Sequence, residues 1–209
     1  MKLRGKNPEA AAYRAAAANA GLAVGRAVTG VATGNLGFFT DVGHDISDVV
    51  SLSAKARAME TGERTSSRLR MGAAGLFLAG GLFGVGSGVY SLANDRAEDA
   101  SPVAVATALA AAGASVEIAR RTHTHLAEHE GSSDEPVHHR HAKRDTLLHL
   151  GSDAVSSGVY AAGLGVQSLT GVEQFGGGSV LASGIISTGF AAYTLYRVRK
   201  TKKPTQCEL

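Results

Sequence analysis

The chain has no tryptophan, only 4 prolines and a single cysteine, Cys207. One thiol cannot form an intrachain disulfide, so no covalent staple holds the fold. Aromatic residues make up 5% of the sequence and do not interleave with the basic ones. The stacking platform that a nucleic-acid binder sets among its lysines and arginines is therefore missing, and the net charge of +3 does not point to a nucleic-acid partner. The most informative scarcity is local. Residues 71–94, 100–116, 154–172 and 174–196 carry no Asp, Glu, Lys or Arg at all. Each run approaches or exceeds the ~20 apolar residues that carry a helix across a bilayer core. A water-soluble helix of that length would show a polar stripe, and these runs show none. Mean hydropathy is only +0.02 because the runs are filled with Ala, Gly and Ser, which let membrane helices approach closely.

The pattern predicts an all-α integral membrane bundle of six spans, at 15–34, 38–54, 71–93, 102–118, 146–169 and 178–197. The first holds Arg26, and the second holds Asp41, His44, Asp45 and Asp48. Before them, Lys2, Arg4 and Lys6 followed by alanines imitate a cleavable leader, with Ala18-Asn19-Ala20 as its cleavage site. Glu9 and Arg14 interrupt what should be its apolar core, and apolar character continues to Val31. The reading is thus a cytoplasmic arm, 1–14, leading into a retained helix, with the six-span domain over 15–197 and a basic tail over 198–209.

Loop charges support six. Lys55, Arg57, Arg64, Arg68 and Arg70 follow span two; Arg120, Arg121, Arg140, Lys143 and Arg144 follow span four; and Arg197, Arg199, Lys200, Lys202 and Lys203 close the chain. The other side has Asp95, Arg96, Glu98, Asp99 and Glu173. Lysine and arginine accumulate in cytoplasmic loops, so both termini are expected in the cytoplasm of a multi-pass protein of the inner or plasma membrane. The segment 122–143 concentrates His123, His125, His129, His138, His139 and His141, with Gly131-Ser132-Ser133 and Pro136 marking a loop. That density suits weak, exchangeable capture of a transition metal, or else a solvated linker with no metal role.

Of the 8 histidines, the two outside that segment, His44 and His149, carry the sharper signal. Each is followed four residues later by aspartate, and both contexts read His-x-x-Ser-Asp-x-Val-Ser, ending at Ser51 and Ser156. Span two thus repeats in span five. Residues i and i+4 of a helix stand one above the other on one face. Two such helices face to face would offer His44, Asp48, His149 and Asp153, an N/O set that suits tetrahedral zinc. Ionisable side chains in a span cost at least ~2.5–3.5 kcal/mol on insertion scales, so their presence there marks function. Two carboxylates balance a divalent ion, and the same groups can take protons when the metal leaves. Asp41, Asp45 and Asp145 are accessories in this reading, with Asp45 at the entrance and Asp145 passing metal in from the loop. The donor set fits Zn²⁺ and also admits Co²⁺, Cd²⁺, Fe²⁺ or Mn²⁺.

The run Asn19 … Arg26 … Gly30-x-x-x-Gly34-Asn35-Leu36-Gly37 … Asp41-x-x-His44-x-x-x-Asp48, with His149-x-x-x-Asp153 and the His-rich segment, resembles the cation diffusion facilitator family of metal/proton antiporters. Spans three and four match that family in character only. The resemblance implies a secondary transporter rather than an enzyme, exporting zinc from the cytoplasm against protons, with His44, Asp48, His149 and Asp153 as the transport site. It also implies a short member lacking the cytoplasmic domain that usually follows span six, so any homodimer would form through the membrane helices. Two other functions use the same residues: a membrane zinc-binding or sensing protein without transport, and an intramembrane zinc hydrolase with a water on the metal.

Overall fold

A computed structural model describes residues 8–61, 67–127 and 137–200. Among them the chain forms six helices and no strand: α1 (Pro8–Thr33), α2 (Leu36–Thr61), α3 (Ser67–Ala93), α4 (Pro102–Ala127), α5 (Val137–Thr170) and α6 (Gln174–Lys200). The all-α expectation holds.

The helices run longer than the spans set by charge. Charge marks where a span leaves the hydrocarbon, but it does not stop a helix; Gly and Pro do. The arm is therefore already helical from Pro8, a residue suited to a first helical position. The His-rich segment is not a loop throughout: α4 continues to Ala127 and α5 begins at Val137. Gly131 and Pro136 fall among residues 128–136, outside the described part. The stops that are described have their own chemistry. Gly34 and Gly171, directly after α1 and α5, take φ of 70° and 69°, the left-handed turn that ends a helix and that glycine adopts without a Cβ clash. Ser101 caps α4, its hydroxyl accepting from the Ala104 amide at 3.4 Å, with Pro102 just inside.

Among the described residues, three helices are long and apolar enough to cross a membrane, over Arg68–Ala93, Pro102–Thr124 and Gln174–Arg197. The other three, α1, α2 and α5, hold Arg26, Asp41, His44, Asp45, Asp48, His149 and Asp153, which lower their hydropathy. Side-chain placement inverts that of a water-soluble protein. Val24, Val28 and Val31 of α1, Leu82 and Phe83 of α3 and Ile185 of α6 are exposed, whereas Asn19, Arg26, Asp45, Asp153, Ser156 and Ser187 are buried. An apolar outside around a polar inside is the arrangement a lipid solvent favours.

The closest helix pairing joins α3 to α6 through small residues. A Cβ placed on Gly184 would lie 2.4 Å from the Val85 amide nitrogen, and one on Gly88 would lie 2.5 Å from that of Leu181. At one end the three short connections meet. Asn35 donates to the Asp99 carbonyl at 2.7 Å and accepts from the Asp99 amide, while Gln167 of α5 donates to the Glu98 carbonyl at 2.7 Å. Inside, two apolar clusters bracket the polar residues of α2. Phe38 packs with Ala104, Tyr160, Leu164 and Val180 on one side, and Leu52 packs with Ala15, Ala16 and Leu150 on the other.

The α3–α6 approach makes a prediction. Gly184→Ala forces backbone apart and should destabilise the detergent-solubilised protein by about 1–3 kcal/mol, the usual cost of overpacking. Gly178→Ala, with nothing within 4 Å of its would-be Cβ, should leave the thermal midpoint unchanged.

Candidate metal centre

On α2, positions 41, 44, 45 and 48 follow the spacing of one helix face, and all four side chains are buried. On α5, His149, Ser152, Asp153, Ser156, Ser157 and Tyr160 line the buried side. The two faces meet. His149 Nδ1 is in direct contact with Asp48 Oδ1, so the imidazole of one repeat touches the carboxylate of the other. Phe77 of α3 closes one side, with ring centroids 4.6 Å from His44 and 4.4 Å from His149. Ser47, next to Asp48, donates to the Ala73 carbonyl at 2.7 Å and fixes α2 against α3.

The remaining acids gather around Arg26 of α1, which is 1% exposed. Its Nη1 lies 2.7 Å from Asp45 Oδ1 and 3.8 Å from Asp153 Oδ1. Its Nη2 donates to Ser157 at 2.7 Å and to Ser115 of α4 at 3.3 Å, and lies 3.5 Å from Asp41 Oδ2. Ser157 in turn donates to Asp41 at 3.2 Å. One guanidinium thus joins α1, α2, α4 and α5. An arginine keeps its charge under all ordinary conditions and presents five donors in a fixed fork, which suits it to several acids at once.

His44 stands between the two groups. Its Nδ1 is 3.8 Å from Asp41 Oδ1, and neither ring nitrogen makes a hydrogen bond. Asp48 Oδ2, Asp153 Oδ1, Asp45 Oδ2 and Asp41 Oδ1 are likewise buried without a hydrogen-bond partner. Buried polar atoms are ordinarily satisfied, and this set, imidazole nitrogen with carboxylate oxygen, is the donor chemistry of a divalent transition-metal ion. Among the described residues no three His, Cys, Asp or Glu side chains converge into a ready ligand shell. The reason lies in the contacts: Asp48 is turned to His149, and Asp153 leans to Arg26.

Asp45 does not line an entrance. It is fully buried and is the nearest acid to Arg26. The step of one residue from His44 turns it toward α1, which packs along α2, so that side of the helix is interior too. His123 is exposed on α4. The side chains of His125, His129, His138, His139, His141 and Asp145 lie outside those described. The partner that spacing did not supply is Arg26 as a member of the centre. Its signal was present in the cost of a lone arginine within an apolar span, which demands acids nearby. Phe77, Ser115 and Ser157 had no comparable signal, being unremarkable residues in apolar runs. No protein-family model and no curated protein matches the chain.

Breaking this network has a defined cost. Arg26→Met should destabilise the protein by about 3–5 kcal/mol by leaving buried carboxylates uncompensated. Adding Asp45→Asn should recover part of that loss, as measured by chemical unfolding in mild detergent.

Proposed function

We propose that the chain is a proton-coupled exporter of divalent transition metal, with zinc as its foremost cargo, of the cation diffusion facilitator type. In this reading it is a six-span protein of the inner or plasma membrane with both termini in the cytoplasm. The observation that carries the reading is the contact between the two copies of His-x-x-x-Asp, His149 against Asp48, within a buried polar interior whose outer surface is apolar. His44, Asp48, His149 and Asp153 would bind the ion between α2 and α5. The unpartnered nitrogens of His44 and oxygens of Asp48 and Asp153 support its entry there.

Three physical features fit the task. The donors are nitrogen and oxygen, which release a divalent ion more readily than a thiolate cage would. Asp48 and His149 already hold each other, so binding exchanges one electrostatic contact for another and leaves no naked charge when the ion departs. The same groups accept protons once the metal leaves, which couples the two flows. The apolar clusters around Phe38 and Leu52 on either side of the polar stretch of α2 support a site closed to water along the helix axis.

Zinc uptake into inside-out vesicles under an imposed pH gradient tests the proposal. Asp48→Ala or Asp153→Ala should reduce the flux by more than ~10-fold, since even groups that only orient metal ligands cost that much. Intact flux in both variants would refute transport through this site. The sensing alternative is separated by replacing His123, His125, His129, His138, His139 and His141 together with glutamine. An exporter keeps most of its rate, whereas a sensor built on that segment loses its response.

A further inference from the structure

Arg26 is a permanent cation placed where a cationic cargo would be held, and the geometry assigns it more than a structural role. We propose that Arg26 is a tethered competitor of the transported metal: it shares Asp153 with the ion and so keeps the site from holding its cargo too tightly. The inference rests on the transport reading above and adds to it a residue outside the repeated pairs that sets affinity.

The argument begins with how unequally Arg26 treats its neighbours. Asp45 is its fixed partner, at hydrogen-bond distance through Nη1, and Ser157 anchors Nη2 at the same 2.7 Å. Asp153 faces the same Nη1 at 3.8 Å, and its Oδ1 receives no hydrogen bond from any side. At that distance the attraction is Coulombic without a directional bond. This oxygen of Asp153 is held by charge alone, on a residue about 1% exposed, where the field of a cation is poorly screened. Such an acid can turn to a second cation without breaking a hydrogen bond. It gives up the pull of Arg26 when it does so.

Asp48 differs. Its direct contact is with the imidazole of His149, and Arg26 makes no ion pair with it among the described contacts. The two acids of the repeat are therefore not equivalent, although their sequence contexts are the same. One belongs to the imidazoles, and the other lies between the metal site and the guanidinium. The guanidinium cannot withdraw to a distance, since Asp45, Ser157 and Ser115 hold it from three helices. Its positive charge therefore stays close to any ion bound by Asp153 and raises that ion's free energy. Conduction and transport need binding strong enough to admit the ion and weak enough to release it, and a fixed like charge beside one ligand supplies the second condition.

The test removes the guanidinium together with its fixed partner, so that net charge is conserved while Asp41 and Asp153 lose the cation beside them. Purified full-length protein is titrated with zinc by calorimetry, and zinc flux is measured in proteoliposomes. Arg26→Gln with Asp45→Asn should bind zinc about tenfold more tightly, because Asp153 is no longer drawn to a second cation. The same variant should show a lower KM together with a lower maximal flux, because release becomes slower. Arg26→Lys keeps a cation near Asp153 without the fork that binds Asp45, Ser157 and Ser115, and should tighten zinc binding less than the double variant does. Tighter binding cannot arise from a loosened fold, so a merely structural Arg26 would not produce it. Unchanged or weaker zinc affinity in the double variant overturns the inference and leaves the transport reading standing. Absence of zinc binding and flux in the wild type itself overturns both.

Discussion

The organisation of this protein depends on one electrostatic problem, that of keeping an arginine and several aspartates out of water together. Arg26 sits 2.7 Å from Asp45 and within 4 Å of Asp41 and Asp153. Isolated, any of these charges would be very costly to bury; paired and hydrogen-bonded, they are tolerated. Their needs set the neighbourhood of the helices. α1 must lie against α2 to deliver the guanidinium to Asp45, α5 must present Ser157 and Asp153, and α4 must bring Ser115. Apolar residues of α3, α4 and α6, together with Val24, Val28 and Val31 of α1, then form the outside, which requires little more than an absence of charge.

The buried charged residues and histidines of α1, α2 and α5 lower their hydropathy, and the three described helices long and apolar enough to cross a membrane are the ones without such a buried cluster. Arg68–Ala93, Pro102–Thr124 and Gln174–Arg197 expose apolar side chains around the centre. Among the helices, α1, α2 and α5 carry the buried charged residues and histidines, and α1 also exposes Val24, Val28 and Val31. Polarity within a candidate span is commonly read as evidence against that span. Here it is concentrated on buried faces, at positions spaced by three and four residues, and it marks the interior of the molecule.

Much of this was legible in the residues. The charge-free runs located α3, α4 and α6 to within a few residues at most ends, because lipid-facing helices have a plain compositional signature. The repeated His-x-x-x-Asp pointed to the faces of α2 and α5 on which Asp48 meets His149, since i,i+4 spacing fixes a face whatever else surrounds it. Helix ends beyond the charge clusters were less legible: nothing in a run such as that following Ile118 stops a helix before Ala127. The position of Asp45 was misjudged for a different reason. A helical wheel gives the angle between two residues but not which neighbouring helix occupies that angle. Nor could spacing show that Asp48 and Asp153, alike in sequence, would take unlike partners. That asymmetry arises from Arg26, which has no counterpart in the second half of the repeat.

The seam between α3 and α6 has a consequence of its own. Gly81, Gly84, Gly88 and Gly184 bring backbone against backbone or against Thr188 and Leu181, and glycine has no rotamers to lose on assembly. At these positions the contact forms with little side-chain entropy cost, and it depends on how closely the two main chains can approach. Such a joint has no adjustable parts. It cannot repack around an intruding methyl group as a leucine-lined interface can, so sequence drift along it meets a steep wall rather than a gentle slope.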